Sequence, residues 1–234
     1  MFRIAAVATS LFFGLTHLAA AQDQQPVVLE LYTSQGCSSC PPADAILEEL
    51  IDRDDVIAIA LHVDYWDYIG WKDTMADPAY TSRQRAYARA AGHRSIFTPQ
   101  MVIGGKDHVV GTKPMQVSRL LELHRQDPYD VDLELVRDGN SLTVTATSNG
   151  DFSGDAVVQL VRYVPKTTVA IRRGENGGRT LDYHNTVNYL SEIGEWDGRG
   201  TFTTTAEISG DEPIAILMQR PDNGPIVAAA KLEY

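Results

Sequence analysis

Cysteine is nearly absent: Cys37 and Cys40 are the only two in 234 residues. That excludes a disulfide-stapled miniature scaffold, and without repeated Cys/His pairs it excludes a structural zinc module. Positive charge is also scarce, with 20 Lys and Arg against 31 Asp and Glu and a net charge of −11. Nucleic acids and anionic membranes need clustered cations to displace counterions, so neither is an expected partner. No Gly-Lys-Ser/Thr follows the glycines of Gly174 to Gly178, which excludes a phosphate loop. No Ser-centred nucleophile motif supports a hydrolase. What remains, 44% hydrophobic and 22% charged, is the balance of an ordinary globular protein of one or two domains.

The amino terminus stands apart from this composition. Met1 to Ala21 carries Arg3, an apolar stretch from Ile4 to about Leu18, and the small-residue end Ala19-Ala20-Ala21. This pattern predicts a secretory signal peptide cleaved after Ala21. Thr9, Ser10, Thr16 and His17 interrupt the run, which is short for the ~20 residues a membrane anchor needs. The product is expected to be periplasmic or secreted, without membrane insertion after cleavage. There a cysteine pair can persist as a disulfide.

From residue 22 to 128 the pattern alternates strand and helix. Val27 to Tyr32 and Val56 to Val63 are apolar runs suited to buried strands. Between them Ala43, Ile46, Leu47, Leu50 and Ile51 fall at helical spacing, so a parallel pair with a right-handed crossover is predicted. Ser82 to Ala91 reads as a second helix, Gln100 to Val110 as a hairpin turning at Gly104-Gly105, and Val117 to His124 as a last helix. At Gln126-Asp127-Pro128 the style changes, and residues 129–234 carry short alternating runs separated by Asp138-Gly139-Asn140, Ser153-Gly154 and Asp222-Asn223-Gly224. The spacing predicts an all-β, sandwich-like domain.

The most informative string is Gly36-Cys37-Ser38-Ser39-Cys40-Pro41, between the first strand and its helix. Two intervening residues bring the sulfurs within disulfide range, and a helix N-terminus favours thiolate over thiol. The expected roles are attack by Cys37 and resolution by Cys40. Pro41 and Pro42 suit a first helical turn, where a missing N–H costs little. Thr98-Pro99 opens the third strand, where a cis peptide can be built in.

Strand, C-x-x-C-Pro, helix, strand, then Thr-Pro leading a hairpin and a closing helix resembles the thioredoxin fold over about residues 26–125. The fold class implied is an α/β thioredoxin-like domain followed by a β-sandwich-like domain. By that resemblance Thr98 and Pro99 would contact substrate, and Glu30 would take the place of the family's buried acid, a general base for the resolving thiol. Gly36 and the Ser-Ser pair depart from the usual thioredoxin residues. The strings TSQGCSSCPPAD (33–44), HVDYWDYIGWKD (62–73), TPQMVIGG (98–105) and GENGGRTLDYHNTV (174–187) further resemble a bacterial family of exported thioredoxin-like proteins classed as a domain of unknown function. The 62–73 segment is expected to wall the cleft, with Asp64 and Trp66 facing substrate, because ligands gather at strand C-termini in open α/β sheets.

The function expected is thiol–disulfide exchange on a protein or peptide client, with a further redox partner and no cofactor. A Cu(I) carrier is an alternative, since thiolates suit that ion and His62 or His93 could complete the ligands. A static disulfide on a binding module is another, although so short a bridge gains little chain entropy. Arg83, Arg85, Arg89 and Arg94 form a basic patch that reads as a solvated helix face.

Overall fold

The computed structural model describes residues 25–127, 129–150 and 152–232. The expected signal peptide, Met1 to Ala21, lies outside the described residues. Among them no helix is long and apolar enough to cross a membrane.

The first strand, β1 (Val27–Thr33), is buried at every position. Helix α1 (Pro41–Glu48) carries the chain to β2 (Val56–His62), which pairs parallel to β1 with Leu31 opposite Ala60. Asp77 caps α2 (Pro78–Ala90) by accepting from Ala79 N–H at 2.7 Å. The hairpin of β3 (Gln100–Ile103) and β4 (Asp107–Val110) turns at Gly104 and Gly105, whose φ values of 60° and 68° favour glycine, and β3 runs antiparallel to β1. Helix α3 spans Pro114–Arg125. Seven further strands follow: β5 (Val131–Asp138), β6 (Ser141–Ser148), β7 (Ala156–Ala170), β8 (Thr180–Trp196), β9 (Phe202–Glu207), β10 (Ile214–Gln219) and β11 (Ile226–Leu232).

The pairing of these strands overturns the expected fold class. Eight form one mixed sheet in the order β11-β10-β7-β8-β2-β1-β3-β4, and β5-β6-β9 form a second sheet. The architecture is therefore mostly β, and it is not an α/β thioredoxin-like domain followed by a separate β-sandwich. The physical reason lies at β2. All seven of its residues are buried, so both edges need hydrogen-bonding neighbours; β1 takes one edge and β8 the other, through Ala60 opposite Thr186. Later strands thus continue the sheet begun by β1.

Side-chain alternation along β1 builds two cores. Leu29 and Leu31 pack with Ala43 and Leu47 of α1 and with Val117 and Leu121 of α3. Val28 and Tyr32 pack on the other face with Tyr80 and Tyr87 of α2 and with Val161 and Tyr163 of β7. The three-stranded sheet closes a third cluster through Leu142, Val144 and Ala146 against Val158, Leu160 and Ile216.

Glu30 lies on the α2 face of β1. Arg83 of α2 reaches it through Nη2 at 2.6 Å and Nε at 3.1 Å, and Tyr32 OH donates to it at 3.1 Å. Arg83 also donates to Tyr87, Gln159 and Gln219, tying α2 to β7 and β10. A buried charge needs this degree of satisfaction.

Candidate functional site

Cys37 and Cys40 are joined by a disulfide. Helix α1 begins at Pro41 with Cys40 as its N-cap, so Cys37 lies in the turn before the helix, three residues ahead of the N-cap and not at the helix N-terminus. Pro41 and Pro42 lack N–H groups, and the amides of Ala43 and Asp44 both donate to Cys40 O, at 2.8 and 3.1 Å. The first turn of α1 therefore has no free amide for the Cys37 sulfur. Ser39 Oγ lies 3.4 Å from that sulfur. Ser38 and Ser39 are exposed, whereas both cysteines have 0% of their surface exposed. The sulfurs are sealed and do not lie at an open groove, contrary to the accessible nucleophile that the motif suggests.

Three segments cover them. Trp66 and Ile69 approach Gly36 so closely that a Cβ there would meet Trp66 Cβ at 3.1 Å and Ile69 Cδ1 at 3.2 Å. Trp66 Nε1 donates to Thr98 Oγ1 at 2.7 Å, and the Thr98–Pro99 peptide is cis. Pro99 is buried, and a Cβ on Gly111 would fall 3.2 Å from Pro99 and 2.9 Å from Ala43 of α1, so glycine lets the prolyl loop approach the cysteine helix. The third cover is the tip of the β7–β8 ribbon. Asn176, 1% exposed, donates from Nδ2 to Gln35 O at 3.0 Å and Cys37 O at 2.9 Å. Beside it Glu175 accepts from Ser38 N–H at 3.1 Å.

A buried polar cluster lies beneath the disulfide. Asp73 Oδ2 accepts from Gln35 N–H at 2.8 Å and from His62 Nδ1 at 2.7 Å, and His62 and Asp73 are both buried. Burial alone would raise the Asp73 carboxyl, but His62 and hydrogen bonds from His62, Gln35 and Met75 hold it below its usual pKa. His62 Nε2 is buried without a hydrogen-bond partner among the described residues. Asp44, one helical turn after Cys40, accepts from Thr33 Oγ1 at 2.9 Å. Burial pushes its carboxyl up to about 6, although His62 and the Thr33 hydrogen bond pull it down. Trp71 Nε1 donates to Gln35 Oε1 at 2.7 Å and completes the support of the cysteine loop.

Of the residues singled out from the sequence, Cys37, Cys40, Trp66, Thr98 and Pro99 come together. Glu30 does not join them: strand alternation puts it on the α2 face, with its carboxylate held by Arg83, and α1 lies on the other face. Asp64 is turned to α2, where Thr81 Oγ1 donates to it at 2.5 Å. His62 is committed to Asp73, and His93 packs 5.5 Å from His108. Among the described residues no group of three His, Cys, Asp or Glu side chains is placed to hold a metal. Asp44, Asp73 and Asn176 are the additions. Their signal was present in the strings 33–44, 62–73 and 174–187, which converge on the disulfide, but no local period distinguishes them there.

The cover leads to one expectation. Asn176→Ala removes two hydrogen bonds worth about 1 kcal/mol each, so the native disulfide should be reduced by a small dithiol about thirtyfold faster. Rates followed by mass spectrometry after alkylation check this, and an unchanged rate means that the ribbon tip is not the barrier.

Comparison with known proteins places this architecture in a family. Residues 28–219 match the model of the family described as "Protein of unknown function (DUF1223)", and the chain belongs to that family. The crystal structure of a protein from Agrobacterium tumefaciens is similar at 31% identity and a TM-score of 0.78, covering 91% of this chain and 96% of that one. HBP35 of Porphyromonas gingivalis shares the fold at 15% identity and a TM-score of 0.62, over 90% of this chain and 75% of that one. No curated protein matches.

Proposed function

We propose that the protein is a thiol–disulfide oxidoreductase exported to the periplasm or beyond, acting on a protein or peptide client through Cys37 and Cys40. One observation carries the reading: the disulfide closes a very short loop, where chain entropy gives little stability, yet it sits one turn from Asp44, a carboxyl raised to about 6. A half-buried acid poised near neutrality costs stability at neutral pH, where it ionises, and suits proton transfer.

In the reduced protein the Cys37 thiolate attacks a client disulfide, forms a mixed disulfide and expels one client thiolate. Asp44 accepts the proton of the Cys40 thiol, and Cys40 attacks the Cys37 sulfur, releasing the second client thiolate and restoring the Cys37–Cys40 disulfide. Two electrons pass to the client, and a dithiol protein returns them to the cysteine pair. The direction follows from the amides. With none free in the first turn of α1, and with Glu175 holding Ser38 N–H, the Cys37 thiolate gains little support. A poorly stabilised dithiol is a reducing one.

The sealed sulfurs favour a second reading, a static disulfide inside a binding protein. Cys40→Ser separates the two. Under the first reading this variant, once reduced, accumulates a Cys37-linked adduct with a disulfide-bearing peptide, and Cys37→Ser forms none. Absence of any adduct from folded Cys40→Ser protein leaves the static reading.

A further inference from the structure

Helix α2 has the sequence PAYTSRQRAYARA, which contains three arginines and no acid. Arg83 is neutralised by Glu30. Arg85 and Arg89 are exposed one turn apart, where like charges on a helix repel, and no ion pair holds either among the described residues. With His93 and Arg94 they line a cavity of about 250 Å³ that continues to Ser95 and Ile96. Arg89 alone lies in the last turn, so the helix dipole explains one of these charges and not Arg85 or Arg94. A concave cationic surface on a chain of net charge −11 lacks its complement.

The same surface runs into the cysteine site. The charge of Arg85 acts on the Tyr65 hydroxyl, Tyr65 lies 6.5 Å from Trp66, and Trp66 stacks on Tyr68, which is 81% exposed. From Arg94 the chain passes through exposed Phe97 to Thr98, the partner of Trp66. The cationic pocket and the aromatic shelf are therefore neighbours on one side of the disulfide.

Resting on the proposed exchange activity, we infer that this surface docks an extended client segment, aromatic shelf beside the client cysteine and arginine pocket around Asp or Glu side chains a few residues away. Charge complementarity selects acidic clients, and backbone extension of about 3.3 Å per residue lets one segment span both features.

The test uses the full chain and a labelled peptide whose cysteine is replaced by serine, with Glu residues on one side, against its Glu→Gln counterpart. Binding is read by fluorescence anisotropy. The acidic peptide should bind at least about tenfold tighter, as expected for several surface ion pairs, and lose that advantage with Arg85→Gln/Arg89→Gln and at high salt. Equal binding of both peptides overturns the inference. Displacement of the acidic peptide by inorganic phosphate at matched charge concentration, with saturable phosphate binding of its own, makes this a small-anion site and also overturns it. Because the probe has no cysteine, the outcome does not depend on exchange chemistry. Adduct formation by Cys40→Ser with the neutral cysteine peptide judges the activity separately.

Discussion

Arg83→Met should destabilise the protein by about 3–5 kcal/mol, because it leaves the Glu30 carboxylate buried without its cation. In this size range that corresponds to a loss on the order of 10 °C in Tm. The consequence spreads beyond one pair, since Gln159 and Gln219 each lose a donor and α2 loses its polar tie to β7 and β10. Glu30→Gln combined with Arg83→Met should recover part of the loss, as the stranded charge is gone. Chemical denaturation of the three proteins checks this. A cost below about 1 kcal/mol for Arg83→Met would mean that Glu30 finds water or another donor.

The second large effect concerns Asp44. Its carboxyl is raised to about 6 in the fold from 3.8, so the native state holds a proton that the unfolded chain has already released. The stability this contributes is fully present below about 3.8 and is lost as pH rises through about 6. The amount is on the order of 2–3 kcal/mol. Asp44→Asn is neutral at every pH and can keep the Thr33 hydrogen bond, so it should match wild type near pH 4 and exceed it near pH 7. His62, Asp73 and Tyr183 also face this carboxyl, and Asp73→Asn therefore serves as the control for their coupling. Denaturation midpoints against pH read the result, and parallel curves for wild type and Asp44→Asn would remove the poised acid. The same variant should slow resolution by Cys40 while leaving attack by Cys37 intact, visible as a longer-lived mixed disulfide.

Much of the secondary structure was legible because it rests on local signals. The apolar runs at Val27 and Val56 became β1 and β2, Asp138-Gly139-Asn140 became the β5–β6 turn, and the Gly104-Gly105 hairpin is present. Strand β8 carries no comparable local signal, and that accounts for the difference in fold class. Residues Thr180–Trp196 mix polar and apolar side chains, and the β7–β8 ladder shifts register at Val158/Gln159 and Arg162/Tyr163, so no period of two persists. This same strand reaches β2, anchored by Asn185 Nδ2 donating to Ala58 O at 2.9 Å. Without it the two halves read as separate folds.

The site divides along the same line. Cys37, Cys40, Thr98 and Pro99 carry their chemistry in adjacent residues and could be named. Alternation along β1 alone leaves the face of Glu30 open, whereas its partner Arg83 is 53 positions away, and Asn176 reaches Cys37 across 139 positions. Contacts of that range leave no trace in spacing. The enclosure of the sulfurs is likewise a product of three distant loops.

Under the proposed function, the sealed disulfide exchanges while the fold stays intact. Titrating the full chain in dithiol/disulfide buffers of graded potential, with circular dichroism recorded on the same samples, tests it directly. A reversible two-electron transition is expected at a potential more negative than about −200 mV, reached with the native spectrum preserved. Cysteines that stay oxidised until the protein unfolds would contradict it.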